Sequence, residues 1–83
     1  MIDDIKKELQ IQYNMVKTIR EDLEDEIAMG SYSDKTLMQI EKYSQLMENI
    51  TRQYLQLQES KKSDVSAKEA LDIIKAEVNR IRE

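Results

Sequence analysis

Five acidic side chains fall within six consecutive positions: Glu21, Asp22, Glu24, Asp25 and Glu26. Glu21 and Glu24 are spaced i, i+3, and so are Asp22 and Asp25. On a helix that spacing brings each pair of carboxylates to one side, where oxygen ligands can share a divalent cation. Other chemistry is excluded by composition. There is no Cys and no His, hence no thiolate or imidazole metal ligand, no thiol nucleophile and no Ser–His pair. The single glycine, Gly30, cannot supply the several close-approaching amides of a glycine-rich phosphate cradle.

Two short stretches resemble known sites. Glu21-x-x-Glu24 resembles the first half of the magnesium site in the all-helical nucleoside triphosphate pyrophosphohydrolases, and Glu69-x-x-Asp72 resembles the second. That family carries the two halves on neighbouring helices, whereas here a whole helix without a matching pair separates them. No metal and no cofactor are therefore expected, and the chain is not expected to be an enzyme. The run Ser44-Gln45-Leu46-Met47-Glu48, with Tyr54 six residues later, resembles the Ser-Gln-Glu-Leu-Asp motif that small sporulation-type phosphatases carry on the second helix of a hairpin. Leu46 stands where that family has Glu, which removes one polar group from a phosphoryl site. The resemblance implies an acyl-phosphate phosphatase as an alternative function. In an interaction protein the same Ser44 and Gln45 are solvated surface.

The elements that carry these residues are helices. Among 83 residues there is no Pro and one Gly, with 36% charged, 40% hydrophobic and 5% aromatic residues, a composition that favours helix. Apolar residues recur on three- and four-residue steps at Ile2, Ile5, Leu9, Val16, Ile19 and Leu23, with Gln12 in the one polar place among them. Ile40, Tyr43, Met47, Ile50, Tyr54 and Leu57 repeat the pattern, and Ala67, Leu71, Ile74, Val78 and Ile81 repeat it again. Each stripe demands cover from another helix. Gln12 is expected half-exposed at a helix–helix seam. The spacing predicts helices over about 3–29, 34–61 and 67–82, with a polar linker at 60–65. Gly30 ends the first. Ser33, with Asp34 after it and a Tyr32–Leu37 staple around it, starts the second. A Ser66–Glu69 capping box with a Val65–Ala70 staple is expected to start the third.

The expected architecture is all-α: a long antiparallel helical hairpin with a shorter third helix, coiled-coil-like and oligomeric. So slender a body has little interior, and small cores commonly need support from association. Met15, Met29, Met38, Leu46, Leu55 and Ile73 are expected to supply apolar interface outside the stripes, Met for its adaptability. Net charge is −4, and the first helix carries all of it. Five acids at its carboxyl end oppose the helix dipole, with Lys75, Arg80 and Arg82 expected to approach and relieve them. As a docking patch, Glu21, Asp22, Glu24, Asp25 and Glu26 suit a protein partner with a basic surface.

Partners are accordingly expected to be the chain itself, as a dimer or higher homo-oligomer, and an unidentified protein. No apolar run is long enough for a membrane span, none reads as a signal peptide, and a cytoplasmic location is expected. Direct nucleic-acid binding is not expected of a monomer, because bases and acids interleave. Lys61 and Lys62, with Lys6 and Lys7, form one basic spot that multiplies in an oligomer. This leaves a second function open, a structural subunit of a homo-oligomeric assembly similar to the small terminase of phage DNA packaging or to a scaffold. The leading expectation is a non-enzymatic adaptor or inhibitor.

Overall fold

The computed structural model describes residues 2–59 and 63–82, Arg82 by its backbone alone. Three helices form: α1 over Ile2–Ala28, α2 over Asp34–Gln58 and α3 over Asp64–Arg82, with no strand among the described residues. Residues 60–62, where the second helix was expected to end and the linker to begin, lie outside the described residues.

The ends of the helices follow from local chemistry. Gly30 takes φ +79°, a left-handed conformation that a Cβ disfavours. A Cβ there would meet nothing within 4 Å, so the requirement is conformational and not spatial. The Ser31 amide then donates to the Glu26 carbonyl at 2.9 Å and the Gly30 amide to that of Ile27 at 3.0 Å. These are the paired bonds of a Schellman turn, and they satisfy carbonyls orphaned at the helix end. At the start of α2 the Thr36 amide donates to Ser33 Oγ and the Ser33 amide to Thr36 Oγ1, both at 3.4 Å. Threonine thus fills the capping-box place more often taken by an acid. Tyr32 and Leu37, the expected staple, are both exposed.

α3 begins one turn before the expected Ser66–Glu69 box. Its cap is Ser63, whose Oγ accepts from the Ser66 amide at 3.2 Å, while the Ala67 amide reaches the Ser63 carbonyl at 2.9 Å. The earlier start places Asp64 in the first turn, against the positive end of the dipole. It also brings Val65 and Ser66 into the helix ahead of buried Ala67. Val65 is 70% exposed and staples nothing.

One core runs through all three helices. Ile5, Leu9 and Val16 of α1, Tyr43, Leu46, Ile50 and Leu57 of α2, and Ala67, Leu71, Ile74 and Val78 of α3 are buried. Two expectations are corrected here. Leu46 is not interface surface but core, 5% exposed. It lies one turn ahead of Ile50 and shares its face; a third helix widens the buried arc beyond a two-helix seam. Gln12, expected half-exposed, is 7% exposed for the same reason.

Register follows from neighbours. Gln10 Nε2 lies 3.5 Å from the Tyr54 hydroxyl, Tyr13 shares one hollow with Ile50 and Thr51, and Arg20 shares another with Ser44. Lys75 pairs with Glu8 at 3.8 Å, and Ile81 lies with Met15, Thr18 and Ile19, so α3 and α1 rise together. Lys75 is therefore about 20 Å short of Glu21, counting 1.5 Å per residue. It does not relieve the acidic run as expected, because α3 starts level with the first turns of α1. Arg80 is exposed, and the Arg82 side chain lies outside the described residues. The body measures 44 × 22 × 17 Å. Leu23 and Ile27 of α1 and Ile40 of α2 are half-buried.

Candidate functional site

The seam between α1 and α2 has two sides, and α3 covers one. Glu8, Met15 and Ile19 look toward α3. Lys6, Gln10, Tyr13 and Lys17, spaced four, three and four, form the opposite edge of α1. Ser44, Glu48, Thr51 and Leu55 repeat that spacing along the facing edge of α2. Two hollows of about 380 Å³ each lie between the edges and share Tyr13 and Thr51. Leu9, Ile50 and Tyr54 line one, and Met47 and Arg20 the other.

The polar groups here are mostly engaged within the chain. Lys6 Nζ lies 5.7 Å from the centroid of the Tyr54 ring, within cation–π range. Gln10 Nε2 donates to the Tyr54 hydroxyl at 3.5 Å. Ser44 Oγ donates to the Ile40 carbonyl at 2.8 Å and Thr51 Oγ1 to that of Met47 at 3.0 Å. Both hydroxyl protons are thereby used one turn back along the helix. Arg20 Nη1 pairs with Glu24 at 3.2 Å, and its Nε is buried with no hydrogen-bond partner. The result is an apolar trough with charged banks.

The acidic end is a separate surface. Glu21, Asp22, Glu24, Asp25 and Glu26 are all exposed, and the last turn of α1 holds no base. Arg20 holds Glu24. Glu69 and Asp72 lie toward the first turns of α1, since Lys75 is beside Glu8. That sets them about 28 Å along the bundle from Glu21 and Glu24 at 1.5 Å per residue, so the pyrophosphohydrolase-like halves do not meet. Among the described residues no three Asp or Glu side chains gather as a metal-binding group. No described helix is long and apolar enough to cross a membrane.

The expected apolar interface is dispersed. Leu55, 47% exposed, belongs to the seam. Met15 is half-buried in a different hollow, of about 460 Å³, between α1 and α3. Met29 is 79% exposed beyond the end of α1, Met38 is exposed in the first turns of α2, and Ile73 is exposed on α3. Leu46 is inside. In the phosphatase-like stretch, Ser44 and Glu48 line one hollow with Arg20, while Gln45 is exposed. Of the basic spot, Lys6 rests on Tyr54 and Lys7 is exposed; Lys61 and Lys62 lie outside the described residues.

Gln10, Tyr13 and Thr51 were not among the sequence-derived site residues. Their signal is in the chain nonetheless. Each edge is a stripe displaced by one residue: 5, 9, 12, 16 becomes 6, 10, 13, 17, and 43, 47, 50, 54 becomes 44, 48, 51, 55. No protein-family model, curated protein or solved structure matches the chain.

Proposed function

We propose that this chain is a non-enzymatic helical interaction module, an adaptor or inhibitor that self-associates and docks on a partner protein in the cytoplasm. The observation that carries the reading is the acidic end: five exposed carboxylates on the last turns of α1, beyond the level at which Ile81 lies with Ile19. Anions at the carboxyl end of a helix sit against its dipole, and a basic partner would offset that cost and be steered by it. The opposed numbering of α1 and α2 across the seam supports an antiparallel hairpin, which sets the acids at one tip of the rod.

Reversing four charges (Glu21→Lys, Asp22→Lys, Asp25→Lys and Glu26→Lys) should abolish partner capture from host lysate while circular dichroism stays helical. Capture that survives the reversal removes the acidic end from the mechanism. A structural subunit of a larger homo-oligomer is the second reading, favoured by hollows on two different sides of α1. Light scattering separates the two, many copies against few. The sporulation-type phosphatase draws less support, since Leu46 is buried and the Ser44 proton is engaged. Magnesium-dependent hydrolysis of an acyl phosphate, lost in Glu24→Gln, would reinstate an enzyme.

A further inference from the structure

We propose that the occupant of the open α1–α2 seam is a second copy of this chain, laid face to face so that four helices enclose the two hollows. This rests on the reading of the chain as an interaction module and adds which face self-associates and how.

Area comes first. Two helices of 27 and 25 residues present a face about 40 Å long and about 20 Å wide, or about 800 Å² per copy. Doubled, that is the size of a standard specific interface. The trough is lined by Tyr13, Met47, Tyr54 and Leu55, with polar Gln10 and Thr51 among them, a mixture of apolar and polar groups of the kind interfaces carry.

Charge selects the occupant. The face carries Lys6, Lys17 and Arg20 against Glu24, Glu48 and Glu41, which shares an edge with Glu48 seven residues on. Three charges of each sign cancel, in a chain whose net charge is −4. The face is also polarised. Lys6, Lys17 and Arg20 are on α1, where Glu24 is the one acid and is held by Arg20, and Glu41 and Glu48 are on α2. A two-fold axis running along the seam keeps every level and exchanges the helices, so α1 lies over α2 of the second copy. Gln10 is level with Tyr54 and Arg20 with Ser44, so Lys17 meets Glu48 of the second copy, Arg20 falls between its Glu41 and Glu48, and Glu24, held by Arg20, is the one acid that comes level with an acid, Glu41. Pairing through the acidic end would instead double like charge. The seam is the face on which two copies attract.

Sedimentation equilibrium of the intact chain tests this. The expected mass is twice 9.8 kDa, and Leu55→Lys combined with Thr51→Lys should weaken the dimer about 100-fold or more, as a charge buried at an interface centre does. Both positions are exposed in the single chain, and circular dichroism confirms that the variant stays helical. Ile73→Lys, on α3, should leave the dimer intact. Lys17→Glu alone and Glu48→Lys alone should each weaken it severalfold, and the double variant should restore it. A monomer at high concentration, a dimer indifferent to the seam pair, a dimer broken by Ile73→Lys, or a double variant without rescue would each overturn the pairing. A monomer that still captures protein through its acidic end would leave the docking function standing. A persistent dimer with no capture would do the reverse.

Discussion

Gln12 and Arg20 are the two residues whose chemistry least matches their surroundings. Gln12 occupies a core position between Leu9 and Val16 and is buried with them. Burying an amide costs free energy that an isobutyl group would not incur, so Gln12→Leu should raise stability by about 1 kcal/mol, read as a higher urea midpoint. A polar group at such a place can instead fix register or copy number. That role would show as a change in sedimenting mass on the same substitution. Arg20 keeps its ion pair with Glu24 at the surface, where such pairs contribute about 0.5 kcal/mol or less. Its unsatisfied Nε costs more than that. Arg20→Met should therefore melt no lower than the parent chain at concentrations where both are monomeric. Gly30→Ala acts through backbone alone: at φ +79° with open space around it, the added Cβ should cost about 1 kcal/mol.

The helices themselves were legible from spacing, and their ends only in part. Gly30 and Ser33 mark the α1–α2 turn because each has one strongly preferred local role. Ser63 and Ser66 compete for one role, and both precede an apolar stripe. The Ser-x-x-Glu pattern at Ser66 reads as the stronger cap, but it would exclude Asp64 and Val65 from the helix. Ser63→Ala should cost about 1 kcal/mol, while Glu69→Ala, with no cap to complete, should cost a few tenths at most by thermal melts. Leu46 shows what pattern reading misses in packing. Its distance from a strict heptad seam is real, but the buried arc of a helix depends on how many neighbours it has, and that is set by where α3 lies. The same dependence hid the seam. Tyr13 and Thr51 are notable only once α3 is known to cover the other side.

At the scale of the whole molecule the core is a single thread, and each link matters. Ile74 and Val78 are fully enclosed between α1 and α2. Ile74→Ala should cost about 2–5 kcal/mol, a large fraction of what so small a domain commands, and should leave a chain largely unfolded at moderate urea. The same substitution at Ile73, one residue away and exposed, should change the midpoint little. Among the described residues Ile81 of α3 lies with Met15, Thr18 and Ile19, while Leu23 and Ile27 of α1 and Ile40 of α2 are only half-buried. Deuterium exchange should follow that division, with amides around Leu23–Ala28 and Ile40 labelling well before those around Leu9 and Leu57. The carboxylates thus sit where the fold buries least, on turns of α1 whose apolar neighbours Leu23 and Ile27 are only half-covered.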